Sequence, residues 1–213
     1  MTPIVRLIKQ TQSICLVAFV LLSALGLSAC DRQPKLSKLA PDAVILAFGD
    51  SLTYGTGAAP GHDYPSILAQ QIAHPVINAG IAGEISADGL ARLPALLEEH
   101  QPKLLILIHG GNDILRRLDP KQTEQNLIAM ISAAKQRGIG AVLLAVPDLN
   151  LTLSSAALYK SVAETTKTPL DNDAVPQILR KAELKADQVH PNAAGYQQLA
   201  ERVASLLKQS GAL

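Results

Sequence analysis

From residue 43 onward, short continuous apolar runs alternate with longer stretches whose apolar residues return every three or four positions. The runs at 43–48 (AVILAF), 75–78 (PVIN), 104–108 (LLILI) and 141–146 (AVLLAV) read as strands. LLILI is the most continuous of them, the pattern of a central parallel strand covered on both faces. Between the runs, Ile67, Leu68 and Ile72 predict a helix over 64–73. Leu90, Leu93, Leu96 and Leu97 predict another over 86–99, with Ser86 as its N-cap and Pro94 as a point of kinking. Leu127, Met130, Ile131 and Ala134 predict a third over 123–137, stopped by Gly138. Asn192 caps a closing helix over 192–208, with Leu199, Val203, Leu206 and Leu207 inward. After Val146 the periodicity weakens; helices over 155–166 and 175–184 and a short fifth strand near 168–171 are expected. Strand–helix alternation of this kind predicts an α/β fold: a three-layer α/β/α sandwich on a mostly parallel sheet of about five strands.

The first 29 residues do not belong to that pattern. Arg6 and Lys9 are followed by an uncharged stretch from Gln10 to Ala29, mostly apolar, ending in Leu27-Ser28-Ala29-Cys30. Small residues before a cysteine resemble the lipobox of bacterial lipoproteins, which implies a signal peptide over 1–29 and a lipid on the Cys30 thiol. The alternative is an uncleaved membrane anchor, since about 20 apolar residues span a bilayer. Either way the domain is expected outside the cytoplasm, tethered to a membrane. Asp31 directly after the cysteine resembles the retention signal that holds lipoproteins at the inner membrane of many Gram-negative bacteria. Residues 31–42, polar with two prolines, read as a tether, leaving 43–213 as one folded domain. Cys15 would leave with the signal, so the mature chain has no internal disulfide.

Composition narrows the partners. Hydrophobic residues at 48% and charged residues at 17% suit a globular domain. A net charge of +1 gives no electrostatic footprint for nucleic acid. With no tryptophan and 3% aromatics, stacking platforms for bases or sugars are scarce.

In open parallel sheets, ligands bind beyond the carboxyl ends of the strands. The segments found there are Gly49-Asp50-Ser51-Leu52, Asn78-Ala79-Gly80-Ile81-Ala82-Gly83 and His109-Gly110-Gly111-Asn112-Asp113. Asp187-Gln188-Val189-His190-Pro191 precedes the last helix. Each alone is ordinary loop chemistry. Together they complete an acyl-transfer apparatus. A serine hydroxyl needs a base, and His190 is suited to take the Ser51 proton near neutral pH. Asp187, three residues earlier, is placed to hold the imidazole tautomer. The Ser51 and Gly80 N–H groups and the Asn112 amide would bind the oxyanion. Glycine at 80 is expected because a side chain would obstruct the substrate.

These four segments, in this order, resemble the SGNH (GDSL) hydrolase superfamily over roughly residues 43–208, with Ser51, Gly80, Asn112 and His190 as its markers. Residues 89–127 are similar to the bacterial arylesterase/acyl-CoA thioesterase I/lysophospholipase branch. The resemblance implies a flavodoxin-like fold and hydrolysis of aryl, short-to-medium acyl or lysophospholipid esters and thioesters through an acyl-serine, with no metal and no other cofactor. A small-molecule ester or lipid substrate, a membrane reached through Cys30 and a monomeric state are the corresponding partner expectations. The chain departs from that branch after Val146, where only Tyr159 is aromatic; Leu149, Leu151 and Leu153 either line an apolar groove there or simply pack. Asp50 and Asp113 are expected to order the serine turn and the Asn112 loop, and His109 to be a hydrogen-bonded structural residue; the alternatives are direct catalysis by either aspartate and a second base at His109. His62, His74 and His100 lack metal-ligand spacing. Arg116 and Arg117 are solvated charges or greet an anionic head group. Neither GxxxxGK[ST] nor GxSxG occurs. The competing readings are a glycan O-acetylesterase of the same superfamily and a non-catalytic lipoprotein binding module on a hydrolase scaffold.

Overall fold

The computed structural model describes residues 33–148, 150 and 152–213. The expected signal peptide, Cys30, Leu149 and Leu151 lie outside the described residues. Five parallel strands, β1 (Ile45–Gly49), β2 (Val76–Gly80), β3 (Leu104–Ile108), β4 (Gly140–Leu144) and β5 (Leu170–Asp171), form one sheet in the order β2-β1-β3-β4-β5. Eight helices accompany them among the described residues: α1 (Ser51–Tyr54), α2 (Tyr64–Ile72), α3 (Ser86–His100), α4 (Gly111–Leu115), α5 (Pro120–Lys135), α6 (Leu158–Thr166), α7 (Ala174–Leu179) and α8 (Ala193–Ser210). Helix α2 packs with α8, while α3 packs with α5 and α5 with α6. Right-handed crossovers put the first pair on one face of the sheet and the other three on the opposite face. This is the three-layer α/β/α arrangement the periodicity predicts. β1, β3 and most of β4 are fully buried, so their continuous apolar composition is what a doubly covered strand requires.

The strand order reverses direction between β1 and β3. That is the topological switch point, where the loops after neighbouring strands diverge and leave a crevice. Gly49 and Ile108, the last residues of β1 and β3, are in register, so the loops carrying Ser51 and Asn112 open onto that crevice together.

Several boundaries differ from expectation for local reasons. Ser86 is not a cap but the first residue of α3, whose N-cap is Ile85. The capping is done by Asp113 instead, which accepts from the Ser86 N–H at 2.8 Å and the Ser86 hydroxyl at 2.5 Å. Helix α3 runs through Pro94, on an exposed face where water can satisfy the carbonyl that the proline leaves unbonded. Helix α5 starts three residues early, because Asp119 caps it and Pro120 fits its first position. The helix expected over 175–184 is α7 followed by a separate 3₁₀ turn at Ala182–Leu184.

Residues 33–42, expected as a tether, are laid against the domain. The Gln33 side chain donates to the Leu170 carbonyl and accepts from its N–H, at 2.9 and 3.0 Å. The Leu36 and Leu39 N–H groups donate to Ser210 and Ala212. Both leucines pack half-buried on the core. The segment crosses from β5 past Gly140, at the start of β4, to the start of β1. It therefore lies at the amino-terminal edge of the sheet, opposite the crevice.

Candidate active site

Ser51 is the first residue of α1, immediately beyond β1, and Asp50 caps the helix. The Asp50 carboxylate accepts from the Leu52 N–H at 3.0 Å and from the Gly111 N–H at 3.3 Å. It thereby orders the serine turn and ties it to the loop after β3. Asp50 is 1% exposed, and burial raises its pKa against the opposing pull of His109 and these two N–H donors.

His190 meets Ser51 across 139 residues of sequence, with Nε2 2.9 Å from Oγ. Its Nδ1 is 2.8 Å from Asp187 Oδ2. These partners set the tautomer: Nδ1–H donates to the carboxylate, and Nε2 is left to accept the serine proton. Asp187 Oδ1 also accepts from the Val189 and His190 N–H groups, each at 2.8 Å. Burial pushes this carboxyl upward, but the hydrogen bonds from His190 and Val189 win and hold it below the ordinary aspartate value. The Tyr196 hydroxyl of α8 donates to the Thr56 carbonyl at 2.8 Å, pinning the end of the serine turn to the helix that follows His190.

Asn112 lies in α4 with Nδ2 3.0 Å from the Glu84 carbonyl, leaving its second amide hydrogen available. The expectation for Gly80 is not met. Its N–H donates to Asn78 Oδ1 at 3.0 Å, and it does not border the cavity at Ser51. The strand geometry explains why: the Ile81 N–H donates inward to Gly49, so the preceding N–H points to the other side of β2. Glycine is required at 80 for a different reason than substrate access. A Cβ there would sit 2.1 Å from the Tyr54 backbone nitrogen, inside α1. The glycine that borders the cavity with Ser51, Asn112 and His190 is Gly83. Its φ of +80° is left-handed, and its Cβ direction is open apart from the Arg116 guanidinium at 4.0 Å. Arg116 donates to the Gly83 carbonyl at 2.8 Å.

The cavity has a volume of about 260 Å3. Ile114, Leu115, Val146, Leu153, Leu179 and Val189 make its walls largely apolar. The arrangement joins a hydroxyl, an oriented imidazole and the amide-bearing residues Gly83 and Asn112 around one apolar pocket, the equipment for acyl transfer.

A family model described as the GDSL-like Lipase/Acylhydrolase family matches residues 47–198. The chain belongs to that family. It is 35% identical over 200 residues to "Esterase TesA" of Pseudomonas aeruginosa, spanning 87% of this chain and 98% of the relative. It is 33% identical over 156 residues to "Thioesterase 1/protease 1/lysophospholipase L1" of Escherichia coli, spanning 70% and 75%. Among solved structures, a psychrotrophic esterase EstA from Pseudoalteromonas sp. matches with a TM-score of 0.70 at 27% identity, over 79% of this chain and 98% of that one. The protein is accordingly an SGNH-type enzyme that hydrolyses ester bonds.

The remaining candidates of this family member fall into place around the crevice. Asp113 is buried and spans from α3 to the Thr123 hydroxyl at 3.2 Å, so it braces the Asn112 loop. His109 is fully buried, as a structural histidine should be. His62, His74 and His100 are scattered, and no group of three metal-ligating side chains occurs among the described residues. Arg116 is committed to Gly83, whereas Arg117 borders a neighbouring cavity with Leu118 and Leu158. Leu153 borders the main cavity. Tyr159 does not; its buried hydroxyl donates to the His109 carbonyl at 2.7 Å. Two residues escaped the sequence reading altogether, Glu84 and Arg92. Both look like surface charges; the one available signal was an arginine on the otherwise leucine-rich face of α3.

Proposed function

We propose that the protein is an extracytoplasmic, membrane-tethered serine esterase acting on aryl, short-to-medium acyl or lysophospholipid esters. The observation that carries this reading is the 2.9 Å approach of His190 Nε2 to Ser51 Oγ, with Asp187 on the other imidazole nitrogen. Ser51 Oγ attacks the acyl carbonyl carbon while its proton passes to His190 Nε2. The negative oxygen of the tetrahedral intermediate is received by the Ser51 N–H, the Gly83 N–H and Asn112 Nδ2. Collapse breaks the bond to the alcohol or thiol, which leaves with the proton from His190. Water then attacks the acyl-serine, gives a proton to His190, and releases the carboxylic acid and the Ser51 hydroxyl. Asp187 stabilises the imidazolium in both halves. Apart from the ester and the attacking water, residues of this chain supply every group the proposed cycle uses.

The apolar walls of the cavity support an acyl chain rather than a sugar as its occupant. Exposed Leu115, Leu118 and Ile81 add apolar surface in the loops after β2 and β3. The Cys30 reading supports the tether. Residues 33–39 are themselves bound at the amino-terminal edge of the sheet, away from the catalytic mouth.

The test is turnover of p-nitrophenyl esters from acetyl to dodecanoyl by the full-length protein and by Ser51→Ala. Turnover by the wild type, peaking above acetyl and abolished in the variant, is the expected result. A peak at acetyl would favour the O-acetylesterase, and equal activity in both proteins would reject Ser51 as the nucleophile. Mass spectrometry of the native amino terminus should find a diacylglycerol-bearing Cys30; an unprocessed Met1 would reject the lipobox.

A further inference from the structure

Behind the crevice lies a buried charged cluster that the acyl-transfer cycle does not use. Glu84 immediately follows Gly83, and its carboxylate is turned inward. Oε1 accepts from Arg92 Nε at 2.6 Å, and Oε2 accepts from Arg92 Nη2 at 2.7 Å and from His109 Nε2 at 3.0 Å. The Gly110 N–H donates to His109 Nδ1 at 2.8 Å, which leaves the ring hydrogen on Nε2, directed at Glu84. Arg92 also donates to the Ala79 carbonyl at 2.8 Å, and its guanidinium lies 4.1 Å above the Phe48 ring. The helix accommodates this cluster at a cost. A Cβ on Gly89 of α3 would fall 2.4 Å from His109 Nε2, so a glycine sits in the helix interior, where it is unfavourable.

The connectivity matters more than the burial. Glu84 and Gly83 share one loop, His109 and Asn112 the other. The Glu84–His109 hydrogen bond is therefore a strut between the loops that carry two of the three oxyanion donors. The Glu84 carbonyl additionally accepts from Asn112 Nδ2, fixing how that amide is turned.

We infer that Glu84, clamped by Arg92 and linked to His109, is a positioning residue that sets the spacing and aim of the Gly83 and Asn112 donors, so that this buried carboxylate acts on the transition state without touching it. The inference rests on the esterase reading above. A preorganised oxyanion hole stabilises the transition state and leaves substrate binding nearly untouched, so loosening it should lower kcat and spare KM.

The test compares full-length, detergent-solubilised wild type with Glu84→Gln and His109→Asn. The asparagine can still accept from Gly110 but is too short to reach Glu84, so it cuts the strut alone. Two readouts are needed: kinetics on p-nitrophenyl butyrate, and inhibition by an alkylboronic acid, whose tetrahedral adduct on Ser51 places an oxygen in the hole. For whichever variants fold, kcat should fall about 10- to 100-fold, less than the 10²–10³ of deleting a donor outright. KM should stay within about twofold, and the boronate Ki should rise in step with the loss of kcat. In an Asn112→Ala background the Glu84→Gln effect should shrink, because one of the donors it aims is gone. A folded variant with wild-type kcat and boronate affinity would overturn the inference. So would a loss confined to KM, or one of equal size in both backgrounds. A wild type that turns over no ester would instead overturn the esterase reading.

Discussion

Two glycines three positions apart make opposite demands on alanine, and the contrast tests the proposed oxyanion donor. At Gly80 the backbone dihedrals suit any residue, but the new Cβ would lie 2.1 Å from Tyr54 N and 2.6 Å from Thr53 C. Backbone atoms cannot rotate aside, so α1 must move, at about 1–3 kcal/mol or more. At Gly83 there is room, the nearest atom being 4.0 Å away, but φ is +80°. Alanine there stores about 1–2 kcal/mol of strain. Moving φ of residue 83 into the negative region would release that strain, but the reshaped loop withdraws the N–H donor and, unless ψ of Ala82 compensates fully, also disturbs the hydrogen bond from Arg116 to the residue-83 carbonyl, worth about 0.5–1.5 kcal/mol. The balance runs from about 0.5 kcal/mol against the reshaped loop to about 1.5 kcal/mol in its favour, a fall of up to roughly tenfold in the competent population at 1.36 kcal/mol per decade. Gly83→Ala should therefore lose about threefold in kcat at the middle of that range and about tenfold at its top, with a small change in KM. Urea unfolding should show it less destabilised than Gly80→Ala. Wild-type kcat in a folded Gly83→Ala would refute the reasoning, as would Gly83→Ala proving the less stable of the two.

Asp187→Asn should lower kcat by about 10²–10³, short of the roughly 10⁴ of a buried triad aspartate, because the Asp187 side chain is 52% exposed and water partly replaces it; steady-state kinetics at constant pH reads this out. Burial pushes the Glu84 carboxyl up, but hydrogen bonds from His109 and Arg92 outweigh it and hold the folded pKa below the ordinary glutamate value. A depressed acid contributes stability that is present above the unfolded pKa of about 4.3 and is lost as pH falls through the folded value. The gap in urea midpoint between wild type and Glu84→Gln should therefore be full at pH 7 and narrow progressively below about pH 4. Leu36→Ala with Leu39→Ala should cost about 2 kcal/mol in urea unfolding, from two half-buried leucines, while kcat stays at the wild-type value because the segment lies at the opposite pole.

The parts of this molecule that could be read in advance are those where a local pattern has one physical outcome. LLILI at 104–108 has no polar side to turn to water, so it had to be a doubly covered strand, and it is β3. Asp50, Ser51, Asn112, Asp187 and His190 stood out because reactive side chains followed apolar runs or preceded a cap, positions that a parallel sheet gathers at one edge. Gly80 and Gly83 could not be separated this way. Both glycines follow the apolar run at 75–78, and only the direction of successive N–H groups tells which one faces the cavity. Asp113 could not be seen as the cap of a helix beginning 27 residues earlier, since the usual capping signal is sought next to the helix it serves. Residues 33–42 read as a tether because they are polar and proline-bearing, yet Leu36 and Leu39, three apart, found a hydrophobic ledge made by other parts of the chain.

Hydrophobic order along the sequence was therefore enough to determine the layers, the strands and the chemical types available at the crevice, because burying apolar surface leaves few other arrangements. Tertiary structure alone decided the 2.9 Å meeting of Ser51 with His190, the choice of Gly83 over Gly80, and the burial of Glu84 between Arg92 and His109. Hydrogen bonds and ion pairs are directional and short-ranged. Whether two such groups meet depends on where the backbone has already been carried, which no local stretch of sequence records.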